Sequence, residues 1–285
     1  MPPTVISQRQ INTRELFSVR QILLSRGFEV RHVDSVNKLL LNEENQNEEI
    51  WKILYSVFYS TKLRTELKAF LYKKEKIESE LVIQLTKHFA FVNEFRRFDN
   101  TFEWFAGELM IQKFAAFSAD YGVTIKNVIR NSTGNDAGDY DCLVVLRDTK
   151  IAYFECKAGS YDDTAISKCY ERMLALNCEY SVLFCNEPIN EKNLIWATSK
   201  VRIPVTNMHY LNKVNIKGNR TDSIYDLQNC YFMDTSGNIE NKLRTVLRIN
   251  SAKINHLHYG IALGLDTYGK LGYDITSIDE IRYPE

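Results

Sequence analysis

The chain is poor in the residues that break or staple a fold. Only 5 of its 285 residues are proline and 12 are glycine, which excludes collagen-like and linker-dominated chains. No apolar run approaches the length of a bilayer-spanning helix before a charge interrupts it, so no membrane span is expected. The first residues, MPPTVISQRQINTR, lack the apolar core of a secretory signal, and a cytoplasmic location is the corresponding expectation. The six cysteines, at 142, 156, 169, 178, 185 and 230, form no CxxC pair, which argues against a zinc ribbon or a thioredoxin-type motif. They are expected to be buried free thiols. A Walker loop, a GxSxG elbow and a dinucleotide fingerprint are also missing.

Net charge is missing too, since 36 basic residues balance 36 acidic ones. The balance is uneven along the chain. Residues 101–191 hold 8 basic and 14 acidic groups, whereas residues 192–258 hold 10 and 4. An acidic stretch beside a basic one suits a site that gathers cations and holds a polyanion nearby, although ordinary solvated surface gives the same pattern.

What is present is a core-forming composition, 45% hydrophobic, with three kinds of patterning. Residues 1–100 read as a mostly helical region. Ile50, Trp51, Leu54, Val57 and Phe58 recur at helical spacing, as do Leu63, Leu67, Phe70 and Leu71, and a further helix is expected over 78–93. The polar stretch 42–49 reads as a loop, and 96–100 as a boundary. Residues 101–191 then read as an α/β core: a helix over 102–119, strands over 123–130, 141–147 and 151–157, a helix over 164–176 and a strand over 180–185. Tyr161, Asp162 and Asp163 read as a loop and helix cap. Residues 192–285 form a basic, mixed extension, with a strand over 201–207, a helix or edge element over 241–254, and a glycine-punctuated tail. Trp51, Trp104 and Trp196 are expected in the core.

The chemistry concentrates in Gly138-Asp139-Tyr140-Asp141-Cys142 and in Ile151-Ala152-Tyr153-Phe154-Glu155-Cys156-Lys157. Alternate residues of a strand share a face, so Glu155 and Lys157 point one way while Phe154 and Cys156 point the other. A tight hairpin would bring Asp141 beside Glu155. Charged groups at the end of so apolar a strand are costly unless paired or bound to a cation. Two carboxylates and an ammonium on one sheet edge suit metal-assisted phosphodiester hydrolysis. The carboxylates hold a hard divalent cation, and the lysine orients water or stabilises developing charge.

Asp141, followed by Glu155-Cys156-Lys157 and the small-residue turn Ala158-Gly159-Ser160, resembles the signature of the PD-(D/E)xK nuclease superfamily. Gly107-Glu108 in the preceding helix is similar to that family's helix glutamate. The resemblance covers residues 102–186. It implies a restriction-endonuclease-like fold and a Mg2+- or Mn2+-dependent nuclease, with DNA favoured over RNA and an endonuclease over an exonuclease. The metal ligands would be Asp141, Glu155 and Glu108, and Lys157 would position the attacking water. Asp139 is a rival to Asp141, and Glu103 a lesser rival to Glu108. Many members act as homodimers.

Lys168, on the helix after the signature, falls where members often touch phosphate. Tyr210, Lys213, Lys217 and Arg220 form the basic cluster expected to contact the nucleic-acid backbone, and a tyrosine could also stack on an exposed base. His256 and His258 would share a strand face, a weak metal signal on their own. The alternative is a nuclease fold that has lost cleavage and binds nucleic acid or a protein partner.

Overall fold

The structure is a computed structural model, and it describes residues 17–32, 44–91, 97–129, 138–146, 149–201, 211–216 and 219–262. The chain divides into two compact units, Met1–Lys242 and Leu243–Glu285. In the second unit, the described residues all belong to the C-terminal part of one helix.

The first unit begins with α1 (Val19–Ser25) and β1 (Val30–His32). Three helices follow, α2 (Glu44–Tyr59), α3 (Thr61–Lys73) and α4 (Glu80–Phe91), then a long helix α5 (Phe98–Phe114). The central run is β2 (Ser118–Ile125), β3 (Asp139–Val145), β4 (Ile151–Lys157), α6 (Asp163–Ala175), β5 (Tyr180–Cys185) and α7 (Glu191–Lys200). It continues through β6 (Asn212–Ile216), β7 (Asn219–Leu227), β8 (Cys230–Asp234) and the start of α8 (Ile239–Ala262).

One eight-stranded sheet, ordered β1-β2-β3-β4-β5-β8-β7-β6, organises this unit and draws strands from all three sequence segments. β1 to β4 are antiparallel, β4-β5-β8 are parallel, and β8-β7-β6 are antiparallel again. Its centre is therefore a helix, a three-stranded meander, a crossover helix and a parallel strand, in the order read from the sequence. β4 and β5 are covered on both faces, which accounts for their nearly unbroken apolar sequences.

One face is packed by α1, α6 and α7. Val19, Leu23, Ile166, Cys169, Met173, Leu194 and Ala197 share a core with Leu143, Val145, Ile151, Tyr153 and Leu183. The other face meets α5, where Phe102 lies 4.7 Å from Phe184, ring centre to ring centre. Behind α5, Phe58 of α2 stacks on Phe105 at 4.7 Å. Helices α2 and α3 thus pack on a helix that is buried around most of its circumference, and α4 packs on α2 and α3.

Several boundaries differ from expectation. The sequence predicts a helix to residue 119, but Ala115 adopts a left-handed φ of 54° and ends it, and β2 starts at Ser118. The run Phe114–Ile125 is apolar without a decisive period, so only the turn at Ala115 separates helix from strand. The polar stretch read as a loop is helical from Glu44 onward. The N-terminal region also supplies a strand, β1, to the sheet. His256 and His258 lie on a helix, not a strand. Two residues apart on a helix means opposite sides, so their shared-face premise fails. Residues 202–207 and the tail beyond 262 lie outside the described residues. Among the described residues no helix is long and apolar enough to cross a membrane.

Candidate functional site

β3 and β4 pair regularly from Val145↔Ile151 to Cys142↔Phe154. Beyond that point a side chain replaces the backbone partner: the Cys156 N–H donates to Asp141 Oδ2 at 2.9 Å. The splay is confirmed on the next residue. Tyr140 packs with Leu143 and Tyr153 on the α6 side, which strict alternation would not allow. Asp141 therefore sits where the two strands separate, beside the end of β4.

Glu155 is completely buried on the α6 side. Its Oε1 accepts from Lys157 Nζ at 2.6 Å and lies 3.4 Å from Lys168 Nζ. Its Oε2 accepts from Arg172 Nη1 at 3.0 Å and from the Tyr153 hydroxyl. Arg172, only 2% exposed, also donates to the Tyr153 oxygen at 2.9 Å and lies 3.8 Å from Asp141 and 3.9 Å from Asp139. Its guanidinium covers the Tyr140 ring at 5.2 Å. The two lysines are about a quarter exposed and Asp139 is largely exposed, so they form the outer rim over a buried floor of Asp141, Glu155 and Arg172.

This arrangement separates the two buried carboxylates. Burial, reinforced by Glu155, pushes the Asp141 carboxyl up to about 7 against the pull of Lys157, Lys168 and Arg172. For Glu155 the balance reverses. Burial would raise it, but Lys157, Arg172 and Lys168 together hold it below its ordinary range. When the pair takes up a proton, that proton resides on Asp141. Lys157 stays charged, because Glu155 and Asp141 outweigh the burial that would lower it.

Glu108 is buried on α5, where it accepts from Gln112 at 3.3 Å and from the Tyr121 hydroxyl at 3.5 Å. Gly107 permits the close approach: a Cβ there would stand 2.5 Å from the Tyr121 ring. Among the described residues, no group of three or more His, Cys, Asp or Glu side chains gathers closely enough to hold a metal ion. The structure thus brings Asp141, Glu155, Lys157 and Lys168 together, while Glu108 stands on α5. Asp141 and Glu155 offer the oxygen donors that a hard divalent cation takes, and Glu155 would have to release Lys157 or Arg172 to meet one.

No family model and no curated protein matches this chain.

Arg172 was missed by sequence reasoning, although a signal existed. On α6 it falls on the buried stripe with Ala165, Ile166, Cys169 and Met173, and an arginine there needs buried anions to meet it. The basic cluster is less coherent. Lys213 is exposed and pairs with Glu191 at 2.5 Å, and Arg220 lies on β7. Tyr210 and Lys217 lie outside the described residues. The cap at Asp162 forms as expected, with the Ala165 N–H donating to its side chain at 2.8 Å. All six cysteines are buried and free. Trp104 is in the core and Trp51 is partly buried, but Trp196 is 60% exposed, a correction to its expected burial. Its position on α7 faces away from Leu194 and Ala197, which carry the helix into the core.

Proposed function

We propose that the protein is a metal-dependent nuclease with a restriction-endonuclease-like core, and that DNA is its substrate in preference to RNA. The observation that carries this reading is the buried pair Asp141 and Glu155 at the point where β3 and β4 splay, with Lys157 bonded to Glu155. The element order around that pair supports it as well.

A Mg2+ or Mn2+ ion held by Asp141 and Glu155 would supply Lewis-acid polarisation of the scissile phosphate and a water of lowered pKa. The remaining roles fall to the chain itself. Asp141 must be ionised to serve, so its raised carboxyl makes cation binding favour neutral to alkaline pH. Arg172 and Tyr153 fix the Glu155 carboxylate from below and leave it one orientation. Lys157 and Lys168, on the rim, can turn from Glu155 toward a non-bridging phosphate oxygen. There they stabilise charge as the bond from water to phosphorus forms and the bond to the leaving oxygen breaks.

The test is incubation of wild type, Asp141→Asn and Lys157→Ala with supercoiled plasmid, linear duplex, single-stranded DNA and RNA, each with Mg2+, Mn2+ or EDTA. Metal-dependent cleavage is expected in wild type and should fall by about 100-fold or more in both variants. Cleavage at the wild-type rate by either variant overturns the assignment.

One observation favours a second reading, an inactive nucleic-acid-binding module. Both Glu155 oxygens are already engaged by protein donors. Salt-sensitive binding without cleavage under any metal condition would select it.

A further inference from the structure

Helix α7 presents an exposed face that the core does not need. Leu194 and Ala197 point inward, while Lys192, Ile195, Trp196, Ser199 and Lys200 are exposed. Lys192, Trp196 and Lys200 recur every four residues, which stacks them in one stripe about 12 Å long. Lys200 Nζ lies over the Trp196 ring, 3.3 Å from its centre. An exposed tryptophan flanked by cations is an unusual use of so large an aromatic side chain, and it contributes nothing to the core.

The sequence that begins with the stripe is one-sided in charge. Six basic residues and no acidic one fall between Lys192 and Arg220. The single acid of α7, Glu191, is occupied by Lys213 at 2.5 Å. The helix also starts beside the carboxylate site. Lys157 pairs across the sheet with Cys185, and Tyr161, four residues beyond Lys157, donates its hydroxyl to the carbonyl of Asn190, the cap of α7. Lys192 is thus in the turn nearest the site, and Trp196 and Lys200 lead away from it, on the layer that also carries Lys168.

We propose that this stripe is a track for single-stranded nucleic acid, in which Trp196 stacks an unpaired base and Lys192 and Lys200 meet the flanking phosphates. The proposal rests on the reading of the chain as one that handles nucleic acid. The chemistry favours a strand over a protein or a second copy of the chain. A planar ring already partnered by a cation offers a π-face that any base can use, and ammonium groups one helical turn either side match a polyanion. A protein-docking face would be expected to add a contiguous apolar patch, and on α7 the one large exposed apolar residue beside the tryptophan is Ile195.

Binding is measured by anisotropy on the full chain carrying Lys157→Ala, in EDTA, so that neither cleavage nor metal enters. The probes are a fluorescein-labelled single-stranded oligonucleotide and its duplex. Adding Trp196→Ala should weaken single-strand binding about tenfold and duplex binding less. Adding Lys192→Ala with Lys200→Ala should weaken both and flatten the salt dependence by a slope of about 1 to 2. Equal affinity with and without Trp196, or no binding by the parent, overturns the track. So does a concentration-dependent dimer that Trp196→Ala dissolves, since the face would then be a self-interface. Metal-dependent cleavage with Trp196-independent binding would sink this inference alone. Trp196-dependent binding without cleavage would sink the hydrolytic reading alone.

Discussion

Two buried ionic clusters lie at the same end of the sheet, by the C-termini of its parallel strands, and are built on opposite plans. The first is the Asp141–Glu155–Arg172 set between β3, β4 and α6. The second surrounds Asp234 at the end of β8, two strands along through the pairings Lys157↔Cys185 and Cys185↔Asp234. Asp234 accepts from Lys242 Nζ at 2.5 Å, from the Ile189 N–H at 2.7 Å and from the Ser236 N–H at 3.0 Å. Every donor is local or backbone. Burial acts to raise this carboxyl, and the Lys242 and Ser236 bonds overcome it and hold the group low. Among the described residues, Asp141 has one close hydrogen bond, from the Cys156 amide, and shares a guanidinium 3.8 Å away with Glu155, which holds it more closely. Two carboxylates of similar burial therefore end on opposite sides of their ordinary value. A saturated carboxylate fastens loops together, and an undersupplied one is still able to bind something.

This contrast can be broken experimentally. The largest effect is expected at the saturated cluster. Asp234→Asn leaves the Lys242 ammonium buried without its charge partner, and should cost about 3–5 kcal/mol by urea unfolding. The loss applies at neutral pH, since the stability from a depressed carboxyl is present above its unfolded value and disappears as pH falls through its folded one. Arg172→Met comes next. Glu155 retains two lysines, so a cost of about 2–3 kcal/mol is expected, together with loss of metal-dependent cleavage in the folded fraction.

Asp141→Asn should move in the opposite direction. Its folded carboxyl is raised, so stability is fully present below the unfolded value and drains away as pH rises toward about 7. The variant is therefore expected to gain about 1–2 kcal/mol over wild type near pH 8 and nothing near pH 4. A loss like that of Asp234→Asn at both pH values would erase the distinction between the clusters. Mn2+ should raise the melting temperature of wild type and leave that of Asp141→Asn unmoved, read by scanning fluorimetry. The smallest effect belongs to Trp196→Ala, whose stability should stay within about 0.5 kcal/mol of wild type because its ring is not in the core.

Legibility in the sequence followed periodicity and punctuation. Strand β4 was readable to the residue, because an apolar run ending in Glu-x-Lys between two turns admits no other element. Helix α6 was readable from its Asp162 cap. The end of α5 was not, since Phe114–Ile125 carries no clean period and a left-handed alanine does the work usually done by glycine. Non-local pairings were hidden too. Nothing near Val30 says that it will pair with Ile125, and nothing near Cys230 says that it will lie beside Ser181. At the site, Asp141, Glu155 and Lys157 were legible as spacing. The role of Arg172 depends on which helix face meets the sheet, which spacing alone does not reveal.

The bond from the Cys156 amide to Asp141 has a further use. An amide proton held by a carboxylate feels that group's charge directly, so its resonance should titrate with Asp141 through about pH 7. A nitrogen label in the backbone of Cys156 would then serve as an internal voltmeter for the site. It would register protonation, cation uptake or an arriving phosphate without a single bond being cut.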